Sequence, residues 1–278
     1  MGSSGTARVR GLAAELKTLR KNSERTTLEI AKRSGFSPPV LNRMENGLRE
    51  VTVEECATLL AIYGIKGKER IRIMNLAKQP GDMLIFRGDV AEVLRALVNF
   101  ESTSTRIVEG SMMRVPGLLQ TADYMRAVMV IARMSPDYIK DMVATRLKRQ
   151  EVLWKQGAPT YLAILDEIAI RRRTGSAELM AEQIVHLCDM AQRPNIDIRV
   201  IPIDHGAHDG LDGNYKLMEF AKGDPVILLE HRSSSLFVDE SSEIELHQNV
   251  TDRLVEVALS SADTVKFLRR LEAEFRRE

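Results

Sequence analysis

The first eighty residues repeat their apolar positions at helical spacing. Leu12, Leu16 and Leu19 mark one face of a helix over residues 9–22, the i, i+4, i+7 pattern of an amphipathic helix. A second helix is expected over residues 27–34 and a third over residues 38–46. In the third, Leu41, Met44 and Leu48 fall on one stripe, and Pro39, Asn42, Arg43 and Asn46 on another. One side can be buried while the other presents amide and guanidinium groups. Gly35 stands between the second and third helices, where a turn needs positive φ. Ser37 followed by Pro38 reads as an N-cap with proline at the first helical position. Thr52 with Glu55 reads as a capping box opening a fourth helix, with Cys56, Leu59, Leu60 and Tyr63 inward and Gly64 as its stop. A fifth, over residues 68–78, shows Ile71, Met74 and Leu76 or Ala77 as its inward set.

Beyond Pro80–Gly81 the periodicity changes character. A helix over 88–101 carries Val90, Val93, Leu94, Leu97 and Val98, and a strand follows over 105–110. Pro116 and Gly117 form a turn in a brief exposed loop, and Thr121 caps a helix over 122–132. The helix from Ser135–Pro136 to about residue 155 is striped by Ile139, Met142, Val143, Leu147 and Trp154. Alternation then predicts strands over 160–165 and 195–203, with a helix over 176–192 between them. Three short strands at 215–220, 226–230 and 235–238, spaced by turn residues, suggest an antiparallel meander. A final helix spans 244–275, with a break near Ser260–Ala262. The pattern as a whole predicts an all-α N-terminal bundle of five helices. It is followed by a C-terminal α+β domain with a mainly antiparallel sheet and flanking helices. The expected division is a flexible start at 1–8, a helical domain at 9–79, a linker at 80–87 and the second domain at 88–278.

Net charge is +1 over 278 residues, but it is unevenly placed. Residues 1–80 hold 15 Lys and Arg against 8 Asp and Glu; the remainder hold 25 against 31. The basic excess coincides with the turn motif, as phosphate contact requires. A small residue at Ala31, glycine four residues later, a cap and an apolar stripe coincide here as in a helix-turn-helix, where a plain helical hairpin needs only the turn and the stripe. The residues expected at DNA are Pro38, Pro39, Val40, Asn42, Arg43 and Asn46 on the third helix, with Arg20, Thr27, Ser37 and Arg49 toward phosphates. Arg43 either reads a base, holds a phosphate or pairs with Glu45. Cys56 and Cys188 sit in apolar helical patterns and are expected as buried free thiols. No apolar run has membrane-spanning length and no signal core opens the chain, so a soluble cytoplasmic protein is expected.

LRKNSERTTLEIAKRSGFSPPVLNRMENG resembles the XRE (Cro/phage-repressor-like) helix-turn-helix. The resemblance implies a lambda-repressor-like fold, operator binding and a phosphate contact near Thr27. That family usually has glutamine where Thr27 stands, often leucine at Arg25, and commonly serine and lysine at Pro39 and Val40. The departures reduce polar base reading at the front of the helix and leave Asn42 and Arg43 as its polar readers. The second half, through MRVPGLLQTADY, LAILDEIAIRR, AEQIVHL, RPNIDIRVIP, HGAHDGLDGNYKLMEF and LLEH, resembles the C-terminal domain of uncharacterised function in WhiJ-like regulators of Streptomyces and other actinobacteria. That resemblance implies a regulator whose second domain binds a small acidic partner protein encoded nearby, or another signal. An antitoxin-like protein that neutralises its partner, using DNA binding for autoregulation, is the alternative it implies.

The polar clusters of the second half suggest three kinds of site. His205 and His208, with Gly210 and Gly213, form either a metal pair, a loop that orders on a ligand or subunit, or a plain turn. Pro116, Gly117 and Gln120 join that partner- or ligand-binding set. Asp166 and Glu167 with Arg171–Arg173 are read as a strand-end salt-bridge group ahead of an acid/base pair. Arg146, Lys148 and Arg149 are read as a solvated helix face. No nucleophile elbow, phosphate-binding glycine loop or zinc-protease motif occurs, so no enzyme activity, metal or cofactor is expected. A homodimer on a double-stranded operator is expected, because one helix reads few base pairs.

Overall fold

The computed structural model describes residues 5–79, 84–87, 90–232 and 234–278, without the side chains of residues 87 and 90–92. In chain order the helices α1 to α5 are Ala7–Asn22, Thr27–Ser34, Pro38–Glu45, Val53–Ile62 and Gly67–Lys78. Strand β1 (Leu84–Arg87), helix α6 (Val90–Thr103) and strand β2 (Ser104–Ser111) follow. Next come α7 (Ala122–Ile131), α8 (Pro136–Gln150), β3 (Thr160–Asp166), α9 (Glu167–Arg171) and α10 (Ala177–Met190). The chain continues through β4 (Ile196–Ile201), β5 (Tyr215–Phe220), β6 (Val226–Glu230) and β7 (Ser234–Val238), and ends in α11 (Ser241–Val257) and α12 (Ser261–Phe275). Two compact units result: Met1–Thr103 with Glu219–Ile244, and Ser104–Met218 with Glu245–Glu278. The division therefore falls at Thr103, past the expected 80–87 linker. Residues 84–87 of that stretch form β1, and residues 80–83 lie outside the described residues.

In the first unit, α1 packs against α3, α5 and α6 and touches β1 and β7. Its N-terminus is tied down, because the Ala7 amide donates to the Asp239 carboxylate just after β7. Residues 7 and 8, placed by the sequence in a flexible start, are part of α1. Arg10 lies against two rings, its guanidinium carbon 5.0 Å from the Phe100 centroid and 3.8 Å from that of Phe220, a cation–π arrangement. Burial lowers its pKa to about 10. β1 pairs antiparallel with β7, Leu84 opposite Phe237, and β7 pairs antiparallel with β6. Alternation had marked β6 and β7 but not β1, whose four residues are too few to show a period.

The expected inward stripes need adjusting in several helices; in α8, which ends at Gln150, Met142 and Val143 are buried but Leu147 and the following Trp154 are exposed. Leu48 is 50% exposed, because α3 stops at Glu45 and Gly47, at φ 67°, turns the chain away before the stripe reaches it. In α5 the buried set is Ile73, Leu76 and Ala77, and Ile71 is 62% exposed. Isoleucine on the outer face misled the periodicity, since hydrophobic residues are not confined to cores. In α6, Leu94, Leu97 and Phe100 are buried and Val98 is exposed. Cys56 in α4 and Cys188 in α10 are free and buried.

In the second unit, β2 pairs with β3 and β3 with β4, both in parallel register, Ile107 opposite Tyr161 and Tyr161 opposite Ile196. The expected mainly antiparallel sheet is accordingly mixed. Helical connections between β2, β3 and β4 permit parallel pairing, which a tight turn cannot. β3 is buried along almost its whole length, the burial expected of a strand covered on both faces. α10 lies against α12, and α12 against β4. The final helix breaks as its sequence suggested: α11 ends at Val257 and Ser260 caps α12, accepting from the Asp263 amide.

Buried glutamines hold the chain between β2 and α7. Gln183 on α10 donates from Nε2 to the Leu119 carbonyl at 2.7 Å and accepts the Thr121 amide at 2.8 Å. Gln150 on α8 donates to the carbonyls of Gly117 and Gln120, at 3.0 and 2.8 Å. Gln120 in turn donates to the Val115 carbonyl at 2.8 Å. These primary amides supply the partners that buried loop backbone cannot obtain from water. Replacing Gln183→Leu keeps the volume but strands one donor and one acceptor. It should cost about 2 kcal/mol or more and accelerate hydrogen exchange over residues 115–121; unchanged exchange there would show that the amide is not what holds the segment.

Candidate nucleic-acid interface

Two turns place α3. Thr26 caps α2, which runs over 27–34 as expected: its hydroxyl accepts from the Glu29 amide at 3.3 Å, and Glu29 accepts the Thr26 amide at 2.7 Å. The Thr26 amide, and with it the Thr26 hydroxyl at 2.8 Å, holds the Glu29 carboxyl below the ordinary range. Thr27 is then the first helical residue, half-buried at the helix start. α2 ends on Gly35 at φ 76°, whose amide donates to the Ala31 carbonyl at 3.1 Å. A side chain there would be strained by the backbone, although no atom lies within 4 Å of an added Cβ. Ser37 precedes α3 with Pro38 at its first position, but the Ser37 side chain makes no capping bond and is exposed.

α3 is anchored by one face only. Leu41 and Met44 are wholly buried, each contributing about 1.5–3 kcal/mol of burial. Glu45 is also buried, and Arg20 of α1 reaches it with Nε 2.7 Å from Oε1 and 2.9 Å from Oε2. A further Arg20 nitrogen donates to the Arg25 carbonyl at 3.1 Å. The bond to Glu45 raises the Arg20 pKa. Arg20, expected at a phosphate, is committed to this pair. The two residues are 25 apart in sequence, and nothing in the local pattern announces the contact.

The opposite face is open. Pro38, Pro39, Asn42, Arg43 and Asn46 are exposed and Val40 is half-buried. Arg43 has no ion pair among the described residues, so Glu45, turned inward to Arg20, is not its partner. Asn46 donates from Nδ2 to the Asn42 carbonyl and to Asn42 Oδ1, both at 2.7 Å, and accepts from Lys17 Nζ at 2.8 Å. Asn42 thus keeps its amide NH2 outward while its oxygen is held. Lys17 joins the face from α1, a neighbour that only tertiary packing supplies. Arg49 is bound to Glu55 at 2.7 Å and is half-buried, so it too is drawn off the open face.

The proposed partner- or ligand-binding residues of the second unit do not converge into a comparable site. Pro116 and Gln120 are buried, and Gly117 lies against Arg149, whose Nη2 would sit 2.6 Å from an added Cβ. Arg149 and Arg146 are half-buried, so of the expected solvated trio Lys148 alone is exposed. The His208 ring is buried, its Nε2 2.9 Å from Asp166 Oδ2 and its Nδ1 accepting the Gly210 amide at 3.2 Å. Both ring nitrogens are thereby used to tie the loop to the end of β3. Gly210 is close against Met112, whose Cε would lie 2.6 Å from an added Cβ. His205 and Gly213 are exposed. Among the described residues no group of three His, Cys, Asp or Glu could hold a metal ion. Asp166 also caps α9 at the Ile168 amide, 2.6 Å away. Glu167 binds Arg171 at 2.6 Å and the Ile203 amide at 3.0 Å. Arg171 and Arg173 pair further with Glu274 and Glu278. This is a salt-bridge group at the strand ends.

Among the described residues no helix is long and apolar enough to cross a membrane. Residues 12–72 match the helix-turn-helix domain family HTH_31, consistent with the geometry of α2 and α3 and with DNA binding. Residues 94–270, more than half of the chain, match the family described as a domain of unknown function, DUF5753. No curated protein matches the chain.

Removing the carboxylate of the Arg20–Glu45 pair should loosen α3 without touching its outer face. Glu45→Ala leaves a largely buried guanidinium uncompensated and should lower the stability of the helical segment by about 3 kcal/mol. Denaturant melts read together with hydrogen exchange across residues 38–46 report it; full protection in the variant would mean that Leu41 and Met44 alone position the helix.

Proposed function

We propose that this chain, which belongs to the DUF5753 family, is a sequence-specific transcriptional regulator that reads an operator with α3 in the major groove. The observation that carries the reading is the division of α3 into a buried face of Leu41, Met44 and Glu45 and an open face of Asn42, Arg43 and Asn46. Asn42 can offer its amide to an adenine edge, and Arg43 its fork to a guanine. Val40 and Pro39 can press on a thymine methyl. Ser37, Thr27 and Lys17 would hold phosphates beside it. In this reading the N-terminal segment is a lambda-repressor-like bundle of the XRE kind. The whole chain works as a homodimer resembling the WhiJ-like regulators of Streptomyces, with no catalytic activity of its own.

Control would come through the second unit by a protein partner or a ligand. The residues first considered for that role, Gln120 and His208 above all, are occupied by internal bonds. Of that set, His205 and Gly213 remain exposed and would be the positions an effector could reach.

Genomic fragments recovered with the purified chain and sequenced supply the operator for the test. Arg43→Ala should weaken binding to it by about 1–3 kcal/mol and relax selection at one base pair if Arg43 reads a guanine. A purely phosphate-bound Arg43 would instead reduce the salt slope by about one with no change in selection. Wild-type affinity should fall linearly with salt on logarithmic axes. Failure to enrich any fragment over an Asn42→Ala/Arg43→Ala control would overturn the reading.

A further inference from the structure

One surface of the second unit is apolar along its middle, with carboxylates on its α10 side and Lys140 on its α8 side. Val130 and Ile131, at the end of α7, are 62% and 67% exposed. Val130 and Arg126 lie one helical turn apart and line two grooves at once. The groove on the α10 side, about 740 Å³, has Ala127, Leu179 and Val185 along its floor and Asp123, Glu178, Glu182 and Asp189 at its rim. The groove on the α8 side, about 500 Å³, has Met134, Ile139 and Val143 on its floor and Lys140 at its rim. Asp123 is engaged by Arg126, and Glu182 by Arg276, within the same chain. Glu178, Asp189 and Lys140 have no ion pair among the described residues. An exposed aliphatic ridge between grooves, rimmed by charge, is the composition of a contact surface rather than of ordinary solvated surface.

We propose that this strip is the contact between two copies of this chain, with the two-fold axis running along α7 past Val130. A two-fold axis lying in the contact plane and parallel to α7 sets each side of the ridge opposite the other side of the second copy. The carboxylate rim of each copy then faces Lys140 of its neighbour, and the match occurs twice. An axis across α7 would set carboxylates against carboxylates, a juxtaposition that like charge opposes. Val130 meets its own equivalent at the centre, where aliphatic burial contributes most. An acidic partner would be repelled by the α10 rim. A second copy satisfies the acidic rim, the basic rim and the apolar ridge together. The inference rests on the DNA-binding reading for its biological purpose, because paired half-sites require two copies, but its geometry stands on this surface alone.

Sedimentation velocity of the full chain tests it. The wild type should dimerise at micromolar concentration. Val130→Lys, a change on an exposed position that leaves the helix dipole favourably served, should weaken association about tenfold or more. Glu178→Lys and Lys140→Glu should each weaken it, and the two together in one chain should restore it, because each reversed rim then meets a reversed rim. Circular dichroism confirms that the variants fold. A monomeric wild type, an undiminished dimer in Val130→Lys, or a double variant no better than the singles would overturn the interface. Operator binding is read on the same samples. A dimer lost in Val130→Lys from a chain that binds no operator supports the interface and sinks only the regulator reading. A chain that binds its operator but dimerises regardless of Val130 does the reverse.

Discussion

The arrangement of α3 depends on its being held from one side. Leu41 and Met44 remove that side from water, and Arg20 grips Glu45 with two short contacts from α1. Burial alone is non-directional and would tolerate some rotation of so short a helix. The ion pair adds direction, because a guanidinium and a carboxylate bind well only in a narrow geometry. Rotation about the helix axis is what decides whether Asn42 and Arg43 point outward, so a contact with no part in recognition determines which residues can recognise. The same contact explains why Arg20 is unavailable to a phosphate.

The second unit solves a different problem. Between β2 and α7 the chain is largely buried and has only the single 3-10 turn Gly117–Leu119, so its amides and carbonyls need partners that water cannot provide. Gln120, Gln150 and Gln183 provide several of them from three different places in the sequence. His208 does similar work at the end of β3, using both ring nitrogens. Residues that look like candidate chemistry in the sequence are here the means by which irregular backbone is made rigid. Polar groups can hold that role because a buried, fully bonded amide or imidazole costs little, whereas an unbonded one costs several hydrogen bonds' worth of hydration.

Local rules were readable wherever the deciding atoms are close in sequence. The capping box of Thr52 and Glu55, the turn at Gly35, the proline opening α3 and the break before α12 all involve residues within a few positions of one another. The start of α2 at Thr27 is legible in the same way, because the Thr26–Glu29 capping box that fixes it spans three positions. β1 was missed because four residues carry no usable period, and its strand character comes from β7, some 150 residues away. The parallel pairing of β2, β3 and β4 was missed for a related reason: alternation identifies a strand but says nothing about the direction of its neighbour.

By itself the sequence determined that a short amphipathic helix follows a glycine turn, that basic charge gathers around it, and that a mixed helical and strand-rich segment comes after. Those properties are set by side-chain type and spacing along a few turns of chain. Only the tertiary structure decided which of the candidate residues remain free. Arg20, Arg49, Gln120 and His208 are each engaged by groups that are distant in sequence or set by the local fold, while Asn42 and Arg43 are left open. A side chain's availability depends on what is folded against it, and spacing along the chain carries no record of that.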